Sequence, residues 1–186
     1  MHAKNIISCL ECNPVIAAVT DEKWDQALES PAQMIFYLSA NLLTVEQKVR
    51  QAHEAGKYVM VHLDLAEGIG RDRSGIRFLA QCGVDGIIST RAQLIRLAKE
   101  QDLITVQRFF ALDSKGMESI EEMLRSTNPH LMEIMPGVIG KAITRFRKSG
   151  IAVIAGGLIE TKQEVTDALG AGATAVSTGQ QKLWYL

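Results

Sequence analysis

The residues best equipped for chemistry sit near the ends of short apolar runs. In Val61-His62-Leu63-Asp64-Leu65 an imidazole and a carboxylate stand two positions apart. On a strand with a side-chain period of two, His62 and Asp64 share one face and Leu63 takes the other. Such a pair could move a proton or bind hydroxyl groups. The plainer alternative for His62 is a hydrogen-bonded core residue, because a buried polar group must be satisfied either way. Arg108, inside Thr105-Val106-Gln107-Arg108-Phe109-Phe110, needs an anionic partner if its run is a buried strand. Glu133, inside Leu131-Met132-Glu133-Ile134-Met135, is the expected partner across neighbouring strands, in a functional or a purely structural pair. Two later segments carry glycine beside a hydroxyl or an apolar turn: Ile154-Ala155-Gly156-Gly157-Leu158 and Val176-Ser177-Thr178-Gly179. Glycine lets an anion approach backbone N–H groups, and a following helix N-terminus favours negative charge. Gly156, Gly157, Ser177 and Thr178 are therefore candidate phosphate-binding residues, although tight turns would use the same glycines.

The elements that must position these residues form a regular series. β-like runs occur at Val15–Val19, Met34–Leu38, Tyr58–Leu63, Gly86–Ser89, Ile104–Phe110, Leu131–Met135, Ile151–Ala155 and Ala173–Val176. Near-continuous apolar runs suit parallel strands buried on both faces. The intervening segments have helical spacing, as in Ile76, Leu79 and Ala80 or Val165, Ala168 and Leu169. Capping-box patterns open helices at Thr44 to Gln47, Thr90 to Gln93 and Thr161 to Glu164, while Gly56, Gly150 and Gly170 mark helix ends. The class is α/β, either an open doubly wound sheet or a closed parallel (β/α)8 TIM-type barrel. The segment Gly83-Val84-Asp85-Gly86-Ile87-Ile88-Ser89-Thr90 is loosely echoed by Gly172-Ala173-Thr174-Ala175-Val176-Ser177-Thr178 four units later. A doubled half-barrel would produce that echo, so we expect a compact barrel forming a single domain over residues 1–186. Its site would lie at the C-terminal strand ends, with phosphate at the last two loops.

Composition narrows the function classes. The chain has 186 residues, 47% hydrophobic and 22% charged, with a formal net charge of -1. That balance argues against broad charge-driven nucleic-acid binding but leaves room for a local patch. Lys141, Arg145 and Lys148 fall on one helical face by i, i+4, i+7 spacing and are the candidate phosphate-backbone contact; a solvated face is the ordinary alternative. A second basic cluster is Arg71, Arg73 and Arg77. No apolar run approaches the roughly 20 residues of a membrane helix, and Met1 to Leu10 is too short and polar for a signal peptide. A cytoplasmic protein is expected, with Cys9, Cys12 and Cys82 as free thiols. No second ligand pair completes a zinc site around Cys9 and Cys12, so neither metal nor cofactor is expected. A homo-oligomer is left open.

Taken together, Val61 to Leu65 with Gly68-Ile69, Gly86 to Arg91, Gln107-Arg108-Phe109 with Leu112-Asp113-Ser114, Glu133 to Gly137, Ile154 to Ile159 and Gly172 to Thr178 with Leu183-Trp184 resemble the glycerol uptake operon antiterminator family. Order and spacing match along nearly the whole chain. The resemblance implies a barrel that senses glycerol-3-phosphate and, when loaded, acts on leader messenger RNA so that transcription passes a terminator. It implies a regulator with no catalytic residue. Phosphate would sit on Gly156, Gly157, Ser177 and Thr178, and His62, Asp64, Arg108 and Glu133 would line the rest of the pocket. The loops after the third and fifth strands are the expected moving parts. Arg71 and Arg73 around Asp72, and Phe110-Ala111, depart from the family pattern. The competing expectation is a barrel enzyme acting on a small sugar or triose phosphate, with His62 and Asp64 or Glu133 as acid and base.

Overall fold

In the computed structural model, which describes residues 3–186, eight parallel strands close into a barrel in strict sequence order. They are β1 (Val15–Val19), β2 (Met34–Tyr37), β3 (Tyr58–His62), β4 (Gly86–Ser89), β5 (Ile104–Phe110), β6 (Leu131–Met135), β7 (Ala152–Gly156) and β8 (Ala175–Thr178). The closed alternative is thus the correct one. The helices are α1 (Ala3–Cys12), α2 (Trp24–Glu29), α3 (Val45–Glu54), α4 (Arg73–Gln81), α5 (Ala92–Lys99), α6 (Ser114–Thr127), α7 (Gly140–Phe146) and α8 (Lys162–Gly170). Among the described residues no helix is long and apolar enough to cross a membrane.

Alternation along the strands sorts side chains into two cores. Outward residues such as Ile35, Val59, Ile87, Met132 and Val153 pack beneath the helices. Inward residues such as Ile16, Met34, Phe36, Met60, Ile88, Val106, Leu131 and Ile154 fill the barrel. That interior is sealed at its N-terminal end by α1, whose Ile6 and Leu10 join the inward cluster and are fully buried. Cys9 donates to Gln33 Oε1 at 2.9 Å and Asn13 to the Pro31 carbonyl at 2.8 Å, which ties the helix to the approach of β2. Nothing in the barrel pattern announces this stopper. Its signal is the short amphipathic spacing of Ile6 and Leu10, masked by a segment that reads as a polar lead-in.

Boundaries shift where turn chemistry overrides apolarity. β3 stops at His62 because Leu63–Leu65 form a 3-10 turn, while β7 and β8 start and end one or two residues later than expected. The Thr161–Glu164 capping box is present, with both reciprocal hydrogen bonds. The other two are not. Thr44 makes no side-chain cap, and Thr90 lies before Arg91, the actual N-cap of α5. Gly56 and Gly150 take the left-handed conformation after their helices, but Gly170 is still helical and Gly172 (φ 106°) makes that turn instead.

Truncating the stopper should be costly. Leu10→Ala is expected to lose about 2–4 kcal/mol of stability in urea denaturation, against less than about 0.5 kcal/mol for exposed Lys4→Ala.

Candidate ligand site at the barrel mouth

At the C-terminal end the inward positions turn from apolar to polar. His62 follows Met60 on β3, Arg108 follows Val106 on β5, Glu133 follows Leu131 on β6, and Ser177 follows Ala175 on β8, each two residues further along the inward face. Register pairs Arg108 with Glu133. The expected ion pair forms, Arg108 Nε donating to Glu133 Oε2 at 2.6 Å, and Ser177 Oγ donates to Glu133 Oε1 at 2.6 Å. The Glu133 side chain is 1% exposed, so these two donors replace the water it has lost. The strand between them, β7, contributes Gly156. A Cβ there would collide with the Glu133 carboxylate and with Ser177 Oγ, so this glycine clears the space the hydrogen bond crosses.

His62 is 3% exposed and close enough to Arg108, Asp64 and Glu133 to feel their charges. Burial, seconded by Arg108, lowers its pKa, so the ring stays neutral. Among the described residues its Nδ1 has no hydrogen-bond partner. Asp64 departs from the expectation of one shared face. In the 3-10 turn it looks toward β4, accepting from Ser89 Oγ (2.8 Å), Thr90 N–H (2.8 Å) and Thr90 Oγ1 (2.9 Å). Burial opposes its charge, but the Thr90 and Ser89 bonds outweigh it and hold the carboxyl below its ordinary pKa. Its acceptors are thus engaged with the start of the β4–α5 loop. Thr178 is similarly occupied: its hydroxyl donates to the Ile159 carbonyl at 2.7 Å and accepts from Gln180 N–H.

A cavity of about 260 Å³ opens above the polar layer, lined among others by Arg108, Glu133, Gly157, Leu158, Ser177 and Gly179. Gly157 (φ 73°) and Leu158 (φ 60°) are consecutive left-handed residues. Leucine rarely adopts this conformation, so the loop is held there by its surroundings. Gly137 N–H donates to the carbonyls of Gly156 (2.6 Å) and Gly157 (3.1 Å), and a Cβ on Gly137 would meet the β7 backbone at 2.8 Å. Met135-Pro136 is a cis bond at this crossing. Among the described residues the N–H groups of Gly157, Leu158 and Gly179 meet no protein acceptor. Sequence reasoning missed Lys23, whose ammonium donates to the Gly179 carbonyl at 2.7 Å from the turn after β1. No local pattern links residues at opposite ends of the chain. It also missed Leu158, since nothing about a leucine announces a left-handed backbone.

The basic stripe is divided by the end of α7. Lys141 and Arg145 are on the helix, whereas Lys148 lies in the following 3-10 turn, Arg147–Ser149. Arg145 pairs with Glu121 at 2.6 Å, and with Lys148 and Arg125 it lines a groove of about 630 Å³ between α6 and α7. Among the described residues no group of three or more His, Cys, Asp or Glu side chains could hold a metal ion.

Fold and mouth together define a (β/α)8 barrel with a small polar pocket closed off from the opposite end. Residues 15–184 match the family described as glycerol-3-phosphate responsive antiterminator, and the chain belongs to that family. It is similar over 91% of its length to the crystal structure of the glycerol uptake operon antiterminator regulatory protein from Listeria monocytogenes, covering 94% of that chain at 33% identity and a TM-score of 0.86. An antiterminator-related protein from Thermotoga maritima gives 31% identity and a TM-score of 0.83, over 92% of this chain and 98% of that one. The uncharacterized protein YgcP of Escherichia coli (strain K12) is 35% identical over 97% of this chain and 96% of its own. Solved aldolases at 10–14% identity share the fold alone.

Two outcomes test the site's physics. Glu133→Ala strands Arg108 and should cost about 3–5 kcal/mol in chemical denaturation, with part of the loss recovered in a Glu133→Ala/Arg108→Met double variant. An unfolded histidine takes up a proton near pH 6.5 while buried His62 resists it, so stability is full above that pH and falls as pH drops toward the lowered folded value. His130, lowered by burial and Lys99, acts in the same sense. His62→Gln should therefore shrink, not abolish, the loss of melting temperature below about pH 6.5.

Proposed function

We propose that this chain is a glycerol-3-phosphate-responsive regulator that acts on the leader messenger RNA of glycerol-utilisation operons and lets transcription pass a terminator. The observation that carries the ligand assignment is the mouth pocket, which combines unpaired backbone donors on the β7 loop with a polar inner layer. A volume of about 260 Å³ falls below the usual range for drug-sized ligands and suits a few-carbon phosphate. Phosphate binds at the N–H groups of Gly157 and Leu158, with Ser177 beside them. The glycerol hydroxyls meet Arg108 and Glu133, with buried His62 behind them. Arg108 spends one nitrogen on Glu133 and keeps its two terminal nitrogens for the ligand.

Ligand binding drives RNA recognition only if the loaded state has the higher RNA affinity, because a ligand shifts an equilibrium by its differential affinity alone. We assign RNA contact to the outer face of α7 and the turn after it, through Lys141, Arg145 and Lys148. The protein works in the cytoplasm, where that RNA is made. Enzymatic action on a triose phosphate fits less well. Neither Asp64 nor Glu133 is hydrogen-bonded to His62 among the described residues, and the inward positions at the mouth hold no lysine for a Schiff base.

Calorimetric titration with glycerol-3-phosphate, glycerol and inorganic phosphate should give saturable binding that is tightest for the phosphoester, with the ligand recovered unchanged. Absence of binding at millimolar glycerol-3-phosphate sinks the proposal. Gly157→Val, which forces a branched side chain into φ 73°, should weaken binding at least about 100-fold. In filter binding to leader RNA, a Lys141→Ala/Arg145→Ala/Lys148→Ala variant should lose affinity and about two units of salt slope while still binding ligand. Unchanged RNA affinity would move the contact to another face.

A further inference from the structure

The walls of the mouth offer a phosphate very little positive charge. Three charged residues line the cavity, Arg108, Glu133 and Glu160, and two of them are anions. The Arg108 Nε is already committed to Glu133 at 2.6 Å. A phosphate monoester brings about -1.5 to -2 charges at neutral pH. Backbone N–H groups orient such an anion but carry only partial charges. A counter-charge must come from outside the lining.

Lys23 is placed to supply it. It ends the 3-10 turn Asp21–Lys23 that follows β1, and its Nζ reaches across the junction of β1 and β8 to the Gly179 carbonyl, at 2.7 Å. Gly179 lines the cavity one residue beyond Thr178. An ammonium has three donors, and this contact uses one. Among the described residues neither acid of the turn, Asp21 or Glu22, forms an ion pair with it. Asp21 accepts from Tyr37 Oη (2.8 Å) and Ser39 Oγ (3.3 Å), and it pairs with Lys48 at 3.5 Å. Among the described residues Lys23 makes no ion pair with a carboxylate. A cation resting on a neutral carbonyl has more to gain from an arriving anion than one already paired.

We infer that Lys23 is the counter-charge for the ligand's phosphate, delivered from the β1 loop to the β8 loop, and that it makes the mouth select a phosphate monoester over a neutral polyol. This rests on the ligand assignment proposed above. Binding would then tie the first and last strands of the barrel to one charged group, with Lys23 holding Gly179 and the phosphate at once.

The test is calorimetric titration of the full chain, wild type against Lys23→Ala and Lys23→Arg, with glycerol-3-phosphate and inorganic phosphate, and with glycerol measured by competition. Lys23→Ala should weaken glycerol-3-phosphate binding about 10- to 100-fold, the loss of one charged hydrogen-bonding partner. It should leave glycerol affinity and the melting temperature near wild type, and Lys23→Arg should restore most of the loss. Wild-type affinity for glycerol-3-phosphate in Lys23→Ala overturns the inference while the ligand assignment stands. An equal loss for glycerol and its phosphate also overturns it, since that marks a general distortion of the mouth. Inorganic phosphate binding that depends on Lys23, without glycerol-3-phosphate binding, keeps the role of Lys23 and removes the named ligand. A wild-type chain that binds neither anion removes both.

Discussion

The mouth of this barrel is organised by one carboxylate taken out of water. Glu133 is nearly inaccessible, and a charge so placed is tolerable only with full hydrogen-bonding compensation. That condition reaches four strands. β5 supplies Arg108, β8 supplies Ser177, and β7 withholds a side chain at Gly156 so that the two donors converge. A slip of one residue in any of these strands would turn its contribution to the opposite face. The register that closes the upper barrel and the register that satisfies Glu133 are therefore the same.

Much of this arrangement is written in local sequence. Near-continuous apolar runs mark all eight strands, and the two Asp/Glu/Lys/Arg residues within them, Arg108 and Glu133, identify each other as partners. What was hidden depends on contacts between distant segments. The 3-10 turn after His62 is recognisable only when Ser89 and Thr90 are present to receive Asp64, so a rule of alternation carried one residue too far. Thr90 fits a capping pattern by spacing, yet its hydroxyl and N–H both donate to Asp64 and the helix starts one residue later, with Arg91 as its N-cap. Lys148 keeps helical spacing with Lys141 and Arg145, but the helix tightens before reaching it. In each case a tertiary hydrogen bond or a change of turn overrides a sound local preference.

The pocket and the outer basic face are joined more directly than their separation suggests. Gly137 lies between Glu133 on β6 and the start of α7, and its amide is held by the carbonyls of Gly156 and Gly157. The segment that leads into Lys141 and Arg145 is thus fastened to the loop bearing the unpaired N–H groups. Leu158, left-handed and 65% exposed, stands at that junction. Leu43 and Leu65 after β2 and β3, Phe110 at the end of β5 and Leu112 just beyond it are likewise exposed, so the polar pocket has an apolar rim.

Strand order has a consequence for how the molecule assembles. Seven of the eight strand pairings join neighbours in sequence, and each can form as a local unit once its helix folds back. The eighth joins β1 to β8, matching Val15 with Val176 and Ile16 with Ser177, and must overcome the loop entropy of almost the entire chain. Until it forms, β8 is joined to β7 alone, through Gly156 and Ser177, and its other edge is unpaired. Assembly that grows along the chain is therefore nucleated cheaply and completed late, at the seam where the pocket lies. The contact of greatest sequence separation is thus the one that closes the barrel, and it needs the first strand as much as the last.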